Sequence, residues 1–149
     1  MKKILFVCHG NICRSPMAEF IMKDLVKKEG LSDQYYIDSA ATSQEEIGND
    51  LYPPAKAVLK KHHIPFEYHP ARQVKKKDYA LFDLILVMDP NNQRNIKRIL
   101  PQNPEHKIHL LLDNESIADP WYTGDFEKSY EQIRQGCEIW LERLENSFV

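Results

Sequence analysis

Residues 6–16 read FVCHGNICRSP and hold a thiol, Cys8, then five residues, then a guanidinium, Arg14, and a hydroxyl, Ser15. A turn leaving a strand for a helix aims backbone N–H groups and the positive end of the helix dipole into one small space, which suits an anion. Arg14 adds a planar fork that can grip two phosphate oxygens together, a geometry that lysine cannot reproduce. Cys8 at the strand end sits beneath the same donors, so its thiolate is favoured and stands as a nucleophile under a bound phosphoryl group. Ser15 can support that sulfur with a hydrogen bond.

Phosphoryl transfer to a thiol also requires an acid for the departing oxygen. The stretch ADPWYTGDF, residues 118–126, supplies Asp119, followed by Pro120, which predicts an extended loop, and by Trp121 and Tyr122. These two aromatics could stack on an aryl leaving group or pack under the loop. Two other chemistries fit poorly. A Walker-type loop needs a second glycine and a lysine that this turn lacks. A zinc site needs a second ligand cluster, and Cys8, His9 and Cys13 have no downstream Cys-x-x-Cys or His-x-x-His partner.

The elements that position these groups follow from the apolar pattern. Residues 2–7 read as a buried strand, and 15–30 as a helix with Ser15 as N-cap, Pro16 in its first turn and Gly30 closing it. Further strands are expected at 35–40, 83–89 and 107–113, with helices at 54–62 and 90–100. From Asp125 onward, Phe126, Tyr130, Ile133, Cys137, Trp140 and Leu144 recur at three- and four-residue steps, an apolar stripe that assigns Cys137 to the core. Strands alternating with helices predict one domain over 1–149, a three-layer α/β sandwich whose central sheet has four mostly parallel strands, with helices on both faces. Ligands bind such sheets beyond the carboxyl ends of the strands, where Cys8 lies.

Composition narrows the setting. The chain has 149 residues, a formal net charge of −2, 42% hydrophobic and 28% charged residues, as a soluble globular domain does. That balance argues against a nucleic-acid partner, and VKKKDY at 74–79 reads as a solvated lysine run. Its longest apolar runs are too short for a membrane span. Three cysteines, an odd number without a disulfide pattern, point to a reducing cytoplasm.

With those residues in hand, the chain resembles the low-molecular-weight protein tyrosine phosphatases. VCHGNICRSP is similar to their Cys-x5-Arg-Ser loop and DPWY to their acid loop, while DSAATS, IGN, HPARQV and FDLILVMDPNN resemble internal blocks in the same order. The resemblance implies a flavodoxin-like fold and hydrolysis of phosphotyrosine in proteins without metal or cofactor, with inorganic phosphate or a similar oxyanion as inhibitor and a monomer as the working unit. It implies Cys8 as nucleophile, Arg14 as phosphate ligand and Asp119 as acid and later base. His9, Gly10, Asn11, Ile12, Cys13 and Ser15 complete the phosphate loop, Ser39 and His69 join its supporting network, and Cys13 can pair reversibly with Cys8 on oxidation. Glu45 stands where many members carry Trp or Tyr, in a wall of the site that also includes Trp121 and Tyr122. In the block after IGN, Tyr52 and Pro54 replace the usual residues.

Other functions remain open on this scaffold. An arsenate reductase would need a relay of cysteines, and none lies between Cys13 and Cys137. A phosphotyrosine reader or a phosphocysteine carrier would not require Asp119. His9 reads as a solvated imidazole, His62 and His63 as the end of an exposed helix, and His69 as a structural hydrogen-bonding partner.

Overall fold

The computed structural model describes residues 1–146; residues 147–149, the end of the expected domain, lie outside the described residues. Four strands, β1 (Lys2–Cys8), β2 (Tyr35–Ala41), β3 (Leu84–Val87) and β4 (Ile108–Leu110), form one sheet in the order β2-β1-β3-β4. Every neighbouring pair is parallel, with Cys8 opposite Ala41 and Val7 opposite Val87. Because side chains alternate across a strand, β1 and β3 feed two cores. Ile4, Phe6, Cys8, Leu84 and Leu86 point to one side, where α1 (Arg14–Lys28), α2 (Pro53–Lys61) and α6 (Phe126–Asn146) pack. Leu5, Val7, Ile85 and Val87 point to the other, against Ile96 and Leu100 of α4 (Pro90–Ile99) and its end, and Val74 and Phe82 flanking α3 (Lys76–Leu81). The three-layer α/β arrangement expected from the alternating pattern is what forms.

The α6 stripe lies as the spacing predicts: Tyr130, Ile133 and Cys137 are buried, and Phe126, Trp140 and Leu144 pack at its edges. Asp125 accepts from Lys128 N at 3.0 Å and so marks the start of this helix.

Three local expectations change. Helix α1 begins at Arg14, with Cys13 rather than Ser15 as N-cap; Ser15 cannot cap it because it is already within the first turn, and its hydroxyl serves the Cys8 loop instead. The lysine run does present exposed Lys75, Lys76 and Lys77, but it also opens the short helix α3, because buried Asp78 accepts from Lys75 N at 2.7 Å and pairs with Arg72. Pro120 does not prolong an extended loop: it occupies the first position of a helical turn, α5 (Pro120–Thr123), and only the preceding Asp119 is extended.

Candidate active site

Cys8 is the last residue of β1, and the chain then folds back tightly enough for Asn11 N to donate to Cys8 Sγ at 3.3 Å. That turn requires a left-handed residue, which Asn11 supplies at φ 60°, a conformation asparagine tolerates better than most side chains. Its amide is wholly used: Nδ2 donates to Ser15 Oγ at 2.8 Å and Ser39 Oγ at 3.0 Å, and Oδ1 accepts from Arg72 N at 3.2 Å. Ser15 Oγ, accepting from Asn11, lies 3.1 Å from Cys8 Sγ with its own proton directed to the sulfur or to the more distant Ala40 carbonyl. A sulfur anion would thus receive a backbone and a hydroxyl donor.

Behind Asn11 the network continues inward. Ser39 Oγ donates to Glu19 Oε1 at 2.6 Å, and His69 Nε2 stands 2.9 Å from Ser39 Oγ and 3.1 Å from Glu19 Oε1. Burial alone would raise the Glu19 carboxyl, but the bonds from His69, Lys23 and Ser39 outweigh it and hold the group below the usual carboxylate range. Glu19, Asp38 and His69 each bring one ligand atom to within 4.8 Å of the others, the one such group among the described residues. These atoms are already committed: Glu19 to Ser39, Lys23 and His69, and Asp38 to Arg72 at 3.1 Å. The group is therefore described by its ion pairs.

Arg14 enters the same cleft from the first turn of α1, 2% exposed. Nη1 donates to Asp89 Oδ2 at 2.7 Å and to Ile117 O at 3.0 Å, and Nη2 to Asp119 Oδ2 at 3.3 Å. Burial opposes its charge, but the neighbouring Cys8, Asp119 and Asp89 overcome that and strengthen protonation. Among the described residues, Nε–H and one N–H on Nη2 have no partner, which leaves two donors for the oxygens of an oxyanion.

Asp119 caps α5 by accepting from Trp121 N at 3.1 Å and faces Arg14 with its other oxygen. The cleft, about 210 Å³, is lined by Cys8, His9, Gly10, Ile12, Cys13 and Arg14 of the loop, by Asp119, Trp121 and Tyr122, and by Glu45 and Glu46. Trp121 and Tyr122 are exposed, and Trp121 leans on Tyr52, ring centroids 5.0 Å apart, which in turn stacks on Phe126. His9 is not simply solvated: its Nε2 lies 2.9 Å from Glu45 Oε2. Cys13 is buried, and burial first, then the nearby Cys8 and Asp119, pushes its thiol up to about 12.

Sequence reasoning missed Asp89, Glu19 and the supporting part of Tyr52. Asp89 carried a usable signal, since it follows the buried strand β3 adjacent to β1 and so must emerge beside the Cys8 loop. Glu19 carried none: a carboxylate on the buried face of α1 is recognisable only once Ser39 and His69 are placed next to it.

A parallel α/β sheet with a Cys-x5-Arg-Ser anion loop at the carboxyl end of its central strand, facing an aspartate on a distant loop, defines a thiol-centred phosphoryl-transfer class. The chain belongs to the low molecular weight phosphotyrosine protein phosphatase family, whose sequence model matches residues 3–148. It is 44% identical to the rat low molecular weight phosphotyrosine protein phosphatase over 151 aligned positions, 95% of each chain. The crystal structure of the low molecular weight protein tyrosine phosphatase of Streptococcus pyogenes superposes with a TM-score of 0.90 at 43% identity, over 97% of this chain and 93% of that one. That of YfkJ from Bacillus subtilis gives 0.94 at 35% identity, over 100% and 98%. Among the described residues, no helix is long and apolar enough to cross a membrane.

Proposed function

We propose that this chain hydrolyses phosphotyrosine in protein substrates through a phosphocysteine. Cys8 Sγ attacks phosphorus, the Arg14 fork and the loop amides hold the non-bridging oxygens, and Asp119 gives its proton to the departing tyrosyl oxygen. The same carboxylate then takes a proton from the water that cleaves the phosphorus–sulfur bond and frees inorganic phosphate, a product that competes for the loop. The single observation that carries this reading is the convergence of Cys8, Arg14 and Asp119 on one cleft, from residues 105 positions apart in the case of the Arg14–Asp119 contact. A reader or carrier of phosphate has no use for that aspartate. Ser15, Asn11, Ser39 and His69 hold the loop in shape, and Trp121 and Tyr122 flank the aryl group.

The Cys8–Cys13 pair belongs to the same reading. Both are free thiols lining the cleft. Peroxide oxidises Cys8 to a sulfenic acid, on which the Cys13 thiol condenses with loss of water, and a thiol reductant restores both. Three free thiols suit a monomeric domain working in the reducing cytoplasm.

The test is turnover of a phosphotyrosyl peptide in the presence of a chelator. Cys8→Ser abolishes it, and Asp119→Ala lowers kcat by roughly 10²- to 10⁴-fold, less for p-nitrophenyl phosphate because that phenolate leaves without help. Full turnover by Cys8→Ser would overturn the mechanism.

A further inference from the structure

Besides Trp121 and Tyr122, the cleft is lined by Glu45 and Glu46 of the segment that follows β2. Thr42 N donates to Cys8 O at 2.9 Å, Ser43 N to His9 O at 3.1 Å and Ser43 Oγ to the same oxygen at 2.9 Å, so this segment is fixed to the phosphate loop. Its next two acidic residues face the cleft differently. The stem of Glu46 lies over Gly10, where a Cβ would stand 3.4 Å from Glu46 Cγ, and its carboxylate accepts from Asn49 Nδ2 at 2.7 Å. Glu45 is further out, its side chain 70% exposed, and reaches back to His9. Among the described residues lining the cleft, the basic groups are Arg14, held by two aspartates, and His9. The mouth therefore presents two carboxylates against one imidazole.

We infer that this rim selects phosphotyrosines set in basic sequence, with Glu45 as the specificity-determining residue; the inference rests on the phosphatase reading above. A phosphotyrosine that reaches Cys8 brings its flanking residues to the rim of a cleft lined by Glu45, Glu46, Trp121 and Tyr122. A lysine or arginine beside the phosphotyrosine meets a carboxylate that the single His9 contact leaves largely in water. A glutamate there meets like charge. An exposed pair of this kind changes affinity by a factor of roughly two to five, and attraction for one peptide multiplies with repulsion for the other. The effect is electrostatic and therefore sensitive to salt, since the screening length falls from about 10 Å at 0.1 M to about 3 Å at 1 M.

The experiment compares two phosphotyrosyl peptides that differ only in carrying lysine or glutamate at both positions next to the phosphotyrosine. The readout is the ratio of their kcat/KM values, formed within each protein so that a general loss of activity cancels. For the parent chain the ratio favours the basic peptide by roughly five- to twentyfold at low salt and shrinks toward one at high salt. Glu45→Gln reduces it, and Glu45→Lys reduces it at least threefold. Turnover of both peptides with a parent ratio within twofold of one, or a ratio that Glu45→Lys leaves unchanged, overturns the inference alone. Turnover of neither peptide overturns the phosphatase reading and this inference with it.

Discussion

Replacing Asn11 by alanine tests the account of how the phosphate loop is held. The side chain is fully buried and makes three hydrogen bonds, to Ser15, Ser39 and the Arg72 amide, at 2.8, 3.0 and 3.2 Å. At about 1 kcal/mol net for each, their loss costs about 3 kcal/mol. The position also sits at φ 60°, where a residue with a Cβ and no compensating side-chain bond costs about 1 kcal/mol more. Asn11→Ala should therefore lose about 4 kcal/mol, equivalent to a fall in Tm of about 8–16 °C for a domain of this size. Asn11→Gly loses the same bonds without the backbone penalty, but frees the unfolded chain, so it should be less damaging than alanine by under about 1 kcal/mol. Urea unfolding followed by circular dichroism, with the slope checked for constancy, measures both variants. Turnover should fall as well, because the lost side-chain bonds are those that hold the turn whose Asn11 backbone N–H donates to Cys8 Sγ. An Asn11→Ala protein within 1 kcal/mol of the parent, or a glycine variant much less stable than the alanine one, would refute the reasoning.

Two further outcomes concern the frame around the site. At Gly136, inside α6, a Cβ would stand 2.5 Å from Leu111 Cγ and 3.2 Å from Leu111 O. The crowding outweighs the helix preference of alanine, so Gly136→Ala should destabilise by about 1–2 kcal/mol in the same urea assay. The Glu19 carboxyl is held below its ordinary range, so its contribution to stability is fully present above its unfolded pKa and fades as pH falls through the folded one. Between about pH 5 and pH 3 the parent should consequently lose more stability than Glu19→Gln, as read from urea midpoints, and parallel losses would count against the Glu19–His69–Ser39 network.

Much of the fold was legible because burial writes directly onto side-chain periodicity. The continuous apolar runs of β1 and β3 and the stripe from Phe126 to Leu144 on α6 identify elements whose faces must be covered, whatever their order in space. Short elements escaped for the opposite reason. Helix α3 buries Asp78 rather than an apolar stripe, and α5 is a single turn whose start depends on Asp119 accepting from Trp121 N, so neither imposes a period on the sequence.

The candidate site divides along the same line. The order Cys8 to Ser15, the turn between strand and helix, and the Asp-Pro-aromatic loop were readable from the chain, since a nucleophile and its anion-binding amides are neighbours in sequence. What the tertiary structure alone decided were pairings across the sheet: Asp89 and Asp119 on Arg14, Glu19 and His69 behind Ser39, Tyr52 under Trp121, and Glu45 on His9. A parallel sheet brings the carboxyl ends of strands distant in sequence to one edge, and hydrogen bonds and charges act only over a few ångströms. The partners of Arg14 and Cys8 are therefore set by where the strands end in space, a quantity that spacing along the chain does not carry.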